Sequence, residues 1–299
     1  MNTKEKDILD KVKRVEFSIR KIMGGISLGI RNSSFRGQGM TFSDIRAYSP
    51  GDDIRNFAWQ VMARTGQPFI KEFEEERDLE IHVALDAGAT MQFGGKKKSK
   101  SMIQAYALAF LGLSTAKSKD KFGGLIFSSG QIKRIPAQRG DDHVRRALFS
   151  YIEEAGKQNL KKTNLNVALD YFAKIRSKNC VCVLISDFSS PLDRKLLARV
   201  KAKHEVKLVH IYDPYEIKFP NLGFIEGLSF SESVSKSLSK FLFKGGGFAN
   251  NKLLNEFQKR EALLSKTAKS FGISYIKQST HDDELREMTK TLKLRSVYG

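Results

Sequence analysis

Cysteine is nearly missing from this chain: Cys180 and Cys182 are the only two in 299 residues. That count excludes a disulfide framework. The two alternate within an apolar run, so they are expected on one face of a strand, as free buried thiols in a reducing compartment. Proline is also sparse, at six residues, which argues against long disordered linkers. No stretch approaches the ~20 apolar residues that a membrane-spanning helix needs. Met1 to Asp10 is polar and lacks the apolar region of a signal peptide, so the chain is expected to be cytoplasmic. The five histidines show no i, i+4 pairing and no Cys partners, which leaves a zinc site without support. His82 and His210 fall in predicted strands and read as satisfied core or edge residues.

What the chain does have is an ordinary globular balance, 40% apolar and 28% charged, enough for a full core. Its net charge of +19 is the unusual feature. Such an excess attracts nucleic acid, anionic lipid or an acidic protein. It is spread along the chain without a basic tail or a recognition motif. A basic nucleic-acid-binding protein therefore stands as the alternative reading, beside a simply solvated lysine-rich surface.

Ile8, Val12, Val15, Ile19 and Ile22 recur at helical spacing with Lys and Arg between them. They predict an amphipathic helix of about five turns, able to dock on the protein's own core or on a membrane surface. From Gly24 to Gly66 turn residues dominate, helical periodicity is absent and short strand-like runs appear. Residues 1–77 are read as this helix followed by a β-rich extension, and residues 78–299 as the main domain. There strands and helices alternate: strands at Leu79–Asp86, Lys121–Phe127, Gln131–Pro136, Val181–Ser186, Val206–Tyr212 and Ile273–Ile276, with helices at Ser101–Lys117, Asp141–Ala155, Leu165–Ile175 and Leu192–Lys203. That alternation predicts an α/β fold with a mostly parallel sheet flanked by helices, with Leu79–Asp86 and Val181–Asp187 as neighbouring central strands. Ser229–Asn251, rich in Ser, Lys and Gly, reads as a surface loop with one short helix.

Two catalytic patterns fail on context. Gly25-Ile26-Ser27-Leu28-Gly29 fits a nucleophile elbow, but a helix precedes it where a strand is required. Gly94-Gly95-Lys96 lacks the spacing of a phosphate-binding loop. One constellation survives. Asp86 ends the first core strand, Thr90 follows in its loop, Thr163 begins a helix and Asp187 ends a second strand. Ligands of an open parallel sheet bind outside the carboxyl ends of its strands. Oxygen donors of this kind suit a hard cation such as Mg²⁺. The two aspartates could equally cap the helices that follow them.

These residues resemble a known pattern. Asp86-Ala87-Gly88-Ala89-Thr90 is similar to the D-x-S-x-S of von Willebrand factor A domains, with Thr163 and Asp187 matching their second and third metal loops. Gly37-Gln38-Gly39-Met40-Thr41-Phe42, followed by Arg46, Tyr48, Gly51, Asp52, Arg55, Trp59, Ala63 and Arg64, resembles the bacterial family labelled domain of unknown function fifty-eight. So do Met91, Phe93 and Gly94, Ser186-Asp187-Phe188, and Asp213-Pro214 with Glu216. The resemblance implies a von Willebrand factor A-like, Rossmann-type sheet with an N-terminal β-rich extension. It also implies a non-enzymatic adaptor partnered with a MoxR-type AAA+ ATPase. The implied metal-ion-dependent adhesion site is degenerate, because Gly88 replaces a ligand serine, so Mg²⁺ at Asp86, Thr90, Thr163 and Asp187 is expected to bind weakly. Asp86, Asp187 and the adjacent Lys96, Lys97 and Lys98 are the expected partner-binding residues. A hydrolase using Asp86 and Asp187 around a metal is a further alternative, without an evident general base.

Within the extension, Pro50-Gly51 suits a type II turn. Arg46, Arg55 and Arg64, with Asp44, Asp52 and Asp53 nearby, are expected to hold it in place through Arg–carboxylate bonds, with Trp59 as an apolar anchor. The same basic residues could instead form a partner-binding surface.

Overall fold

The computed structural model describes residues 3–25, 40–75, 79–94, 99–157, 163–217 and 246–282. Two compact units emerge, one formed by Met1–Gly29 with Leu79–Gly299 and the other by Ile30–Asp78. The N-terminal helix and the segment after it, grouped together in the sequence reading, thus belong to different units.

The larger unit is built on six strands: β3 (Glu80–Asp86), β4 (Lys121–Phe127), β5 (Ile132–Gln138), β6 (Val181–Ser186), β7 (Glu205–Tyr212) and β8 (Ser274–Ser279). Their order is β5-β4-β3-β6-β7-β8. All neighbours are parallel except the β4–β5 edge pair. The chain winds outward from β3 through β4 to β5, then returns to the other side of β3 for β6, β7 and β8. This is the doubly wound order, with its switch between β3 and β6. Both central strands are buried along nearly their whole length. That explains the apolar runs Val83–Leu85 and Val181–Ile185 at their centres, since helices cover both faces. Strand packing is tight at Gly124, where a Cβ would lie 2.1 Å from the Val83 carbonyl oxygen of the neighbouring strand.

Helices α1 (Thr3–Gly25), α3 (Lys100–Lys117) and α4 (Asp141–Ala155) share one core with one face of the sheet. Helices α5 (Asn166–Ala173), α6 (Arg194–Lys201) and α8 (Gly246–Ser270) share a second core with the other face. A short helix, α7 (Pro214–Ile217), follows β7. The stripe of α1 docks on the protein's own core through buried Val12, Val15 and Ile19. Glu16 accepts bonds from Arg20 at 2.9 Å and Arg145 at 3.0 Å, tying the polar flank of α1 to itself and to α4.

The smaller unit pairs β1 (Met40–Ala47) with β2 (Phe69–Glu75) antiparallel. Between them a 3₁₀ turn at Ile54–Asn56 leads to helix α2 (Trp59–Thr65). Helical periodicity was not expected here. Seven residues make only two turns, too short for a pattern, yet Gln60, Met62, Ala63 and Arg64 are good helix formers and Gly66 caps the end at φ 69°. The Pro50-Gly51 turn takes its expected form, with Gly51 at φ 109° and the Asp52 amide bonded to the Ser49 carbonyl at 3.1 Å. Arg46 donates two bonds to Asp52, at 2.8 and 2.6 Å, and so braces this turn. Arg55 pairs with Asp53 but is 90% exposed, so little stability follows. Arg64 lies in the last turn of α2. Trp59 corrects the anchor expectation: it is 62% exposed and packs its ring 4.8 Å from that of Phe57, because it opens a two-turn helix rather than facing a core.

Candidate functional site

The carboxyl ends of β3, β6 and β7 lie side by side, so the residues that follow them meet at one rim. Asp86 is the last residue of β3 and is fully buried. Its Oδ2 accepts from Ser186 Oγ at 2.6 Å and Thr163 Oγ1 at 3.1 Å, and its Oδ1 from the Gly88 amide at 2.9 Å. Asp187, just past β6, accepts the Ser189 amide on Oδ1 at 3.0 Å, and the Thr90 hydroxyl also bonds its carboxylate. Asp86, Thr90, Thr163 and Asp187 therefore lie together at this rim. Lys96, Lys97 and Lys98 lie outside the described residues.

The sequence reading missed the cation at the centre. Lys100, the first residue of α3, is completely buried. Its Nζ donates to Asp187 Oδ2 at 3.0 Å and to Glu216 Oε1 at 2.5 Å. Glu216 comes from α7, which is fastened to the end of β7 by Asp213: Asp213 accepts from the Tyr215 amide at 2.8 Å and from Thr280 Oγ1 at 2.6 Å. A signal for Lys100 existed. It sits one turn before Ile103 and Gln104 and two before Ala107, on the buried stripe of an apolar helix, where an unpaired lysine would be intolerable.

The electrostatics follow from burial and from these partners. Burial opposes the charge on Lys100, but Asp187 and Glu216 outweigh it and lift the amine above lysine's ordinary value. Burial likewise opposes ionisation of Asp187, yet the Lys100 charge and hydrogen bonds hold the carboxyl well below the usual range. Among the described residues, Asp86 has no such cation. Burial, then the nearby charge of Asp187, pushes it up to about 6 against the pull of its three hydrogen bonds. Burial raises Glu216 as well, with Lys100 opposing.

This donor set does not fit a tightly held divalent cation. A positive charge is already fixed on Asp187, and every oxygen of Asp86 and Asp187 accepts a bond from the protein. Nor is there room for the missing serine, since a Cβ at Gly88 would lie 2.6 Å from Thr163 Cγ2 and 3.0 Å from Asp86 Oδ1. Gly88→Ser, which restores the adhesion-site motif on paper, is expected to destabilise the protein by about 1–3 kcal/mol through overpacking. A thermal melt with and without Mg²⁺ checks this, and a metal-dependent gain in stability by the variant would contradict it.

The fold and its rim define a doubly wound α/β protein with a lysine–carboxylate cluster at the switch point. The family model described as "Protein of unknown function DUF58" matches residues 44–235, more than half of the chain. The chain belongs to this family. An uncharacterized protein of Mycobacterium tuberculosis is 27% identical over 216 residues, covering 71% of this chain and 67% of that protein. An uncharacterized protein of Mycobacterium avium is 22% identical over 168 residues, covering 54% and 94%. Among solved structures, the von Willebrand factor A domain of SpRpn10 aligns with a TM-score of 0.38 at 9% identity, over 71% of this chain and 94% of that one. Proximal thread matrix protein 1 from the mussel byssus aligns with a TM-score of 0.34 at 18% identity, over 45% of this chain and only 38% of that protein's. No helix among the described residues is long and apolar enough to cross a membrane.

Proposed function

We propose that this chain is a non-enzymatic protein-binding adaptor whose docking edge is the rim formed after β3, β6 and β7. The observation that carries this reading is the closure of the carboxylate cluster. Asp86 is buried and each of its oxygens is engaged, while Asp187 is neutralised by Lys100. A general base needs a lone pair within reach of a substrate, and a Lewis-acid site needs open coordination. A closed cluster supplies neither and instead holds the surrounding loops, 87–92 and 188–190, in fixed shape. Rigid loops at a switch point make a recognition surface.

The partner proposed is a MoxR-type AAA+ ATPase, which rests on the family resemblance. The +19 charge supports encounter with an acidic surface by long-range steering. Lys96, Lys97 and Lys98, just before α3 in sequence, are proposed to receive acidic partner residues. In this reading Lys100 supplies the positive charge at the rim, docking needs no metal, and any Mg²⁺ near Asp86 and Asp187 binds no tighter than roughly millimolar.

Calorimetric titration against a MoxR-type ATPase in each nucleotide state tests this. Binding is expected to be unchanged by EDTA and weakened at least tenfold in a Lys96→Glu, Lys97→Glu, Lys98→Glu variant. Failure of the wild-type chain in every nucleotide state would sink the partner; loss of binding in EDTA would sink the metal-independent rim. The high net charge also favours a second reading, a nucleic-acid binder, which would show itself as duplex binding whose log affinity falls steeply with log salt.

A further inference from the structure

A second cluster lies at the opposite end of the sheet, where β3 and β6 begin. Successive residues of a strand alternate in direction, so Glu80 and His82 share a face of β3 while Cys180 and Cys182 share a face of the neighbouring run. The parallel register aligns Ile81 with Val181 and His82 with Cys182, which sets the Glu-x-His of one strand beside the Cys-x-Cys of the other. Distant in sequence, His82 thus acquires the cysteine partner that the spacing of the histidines did not offer. Ligand atoms of Glu80, His82 and Cys180 all lie within 4.8 Å of one another.

We infer that Glu80, His82 and Cys180 form a zinc site with three protein ligands and a fourth position open to the adjoining cavity.

The donor chemistry is selective. An imidazole nitrogen, a thiolate and a carboxylate suit Zn²⁺, whereas Mg²⁺ takes oxygen alone. In a tetrahedral zinc site, bonds of about 2.0–2.3 Å place donors roughly 3.3–3.8 Å apart. The present separations need to close by only about 1 Å around an ion of that size. The second layer is in place too. Tyr171 Oη lies 3.0 Å from His82 Nδ1, which leaves Nε2 turned toward Glu80 Oε2 at 3.3 Å, the side on which the metal would sit. Such a partner on the non-ligating nitrogen fixes the ring of a metal-bound histidine.

The cavity has a volume of about 310 Å³, and Glu80 and His82 form part of its wall with Arg134, Lys174 and Arg176. Three ligands with an open fourth position is the arrangement of zinc sites that bind water or substrate, rather than purely structural ones. Asp170 in the same wall pairs with Lys174 at 2.5 Å, and the other two cations, Arg134 and Arg176, favour an anionic fourth ligand, of the carboxylate class, over a neutral one.

The test uses Co²⁺, which substitutes for Zn²⁺ and absorbs, titrated into the metal-free full chain under reducing conditions. One equivalent is expected to produce a thiolate-to-cobalt charge-transfer band together with the visible bands of a four-coordinate ion. One equivalent of Zn²⁺ should abolish both, and a large excess of Mg²⁺ should leave them unchanged. Cys180→Ser should remove the charge-transfer band, and Cys182→Ser should retain it. Tyr171→Phe, which keeps every ligand, should weaken Co²⁺ binding by about 10–100-fold. Absence of a charge-transfer band in the wild-type chain would overturn the site without recourse to any variant. A band that survives Cys180→Ser, or one that Mg²⁺ displaces, would overturn it as well.

Discussion

Lys100→Met is expected to destabilise the protein by about 3–5 kcal/mol at pH 8, the range for removing one partner of a buried ion pair. Methionine matches the length of the lysine stem, so the lost term is the charge rather than the packing. Lys100 is the cation bonded to both Asp187 and Glu216, and the Asp187 side chain is only 7% exposed. Without the ammonium, burial acts on Asp187 opposed only by the Thr90 and Ser189 hydrogen bonds, and drives its carboxyl upward. The sign of the pH dependence then reverses. In the wild type, Asp187 lies below its unfolded value, so its contribution is present at neutral pH and is lost as pH falls through the folded value. In the variant the carboxyl lies above its unfolded value. The penalty is then present at high pH and fades as pH falls toward the acid range. Denaturant midpoints at pH 8 and pH 5 should therefore show the deficit shrinking with acid. Lys100→Met combined with Asp187→Asn should recover much of the loss at pH 8. A single variant within about 1 kcal/mol of wild type at pH 8 would mean that the ammonium is not what keeps Asp187 ionised.

The parts of the fold with strong periodicity were legible in the sequence. The strands expected at Leu79–Asp86 and Val181–Ser186 became the adjacent central strands, and the apolar runs Val83–Leu85 and Val181–Ile185 within them are those of doubly covered strands. The amphipathic stripe of α1 announced its docking face. Helix α2 was not legible, because two turns between glycines leave no period to read. The rim was half legible. Asp86 and Asp187 stand at strand ends, where the pattern puts ligands, but their charge partner Lys100 is 87 residues from Asp187 in sequence. Glu216 is 116 residues from Lys100, so no local spacing could join these groups. The Glu80, His82 and Cys180 cluster was hidden for the same reason: strand pairing, not chain order, makes it.

Asp86→Asn is expected to stabilise the protein at pH 8, by up to about 3 kcal/mol. Asp86 titrates near 6 in the folded chain, about two units above an ordinary aspartate, and each unit corresponds to about 1.4 kcal/mol. The folded state thus binds this proton more tightly than the unfolded state does. The cost of ionised Asp86 is fully present above about pH 6 and disappears as pH falls toward the unfolded value near 4. Asparagine removes the charge and preserves the bonding pattern. Its Oδ1 can accept from the Gly88 amide while its amide group donates to the hydroxyl oxygens of Ser186 and Thr163, which reverse their roles. Other groups titrate in the same window. Burial lowers His82, His143, His204 and His210, and these destabilise the fold as acid charges the unfolded chain. The raw stability curve is therefore a mixture, whereas the difference between wild type and Asp86→Asn isolates the one carboxyl. That difference should favour the variant at pH 8 and vanish near pH 4. The opposite result is equally informative. Its charge could be made stabilising by its three hydrogen bonds, which EDTA would not touch, or by a cation close to Asp86, and Lys100 bonds to Asp187 and Glu216 instead. A variant less stable than wild type at pH 8, with the deficit removed by EDTA, would mean that a divalent ion occupies the rim after all and that the lysine accompanies the metal rather than replacing it.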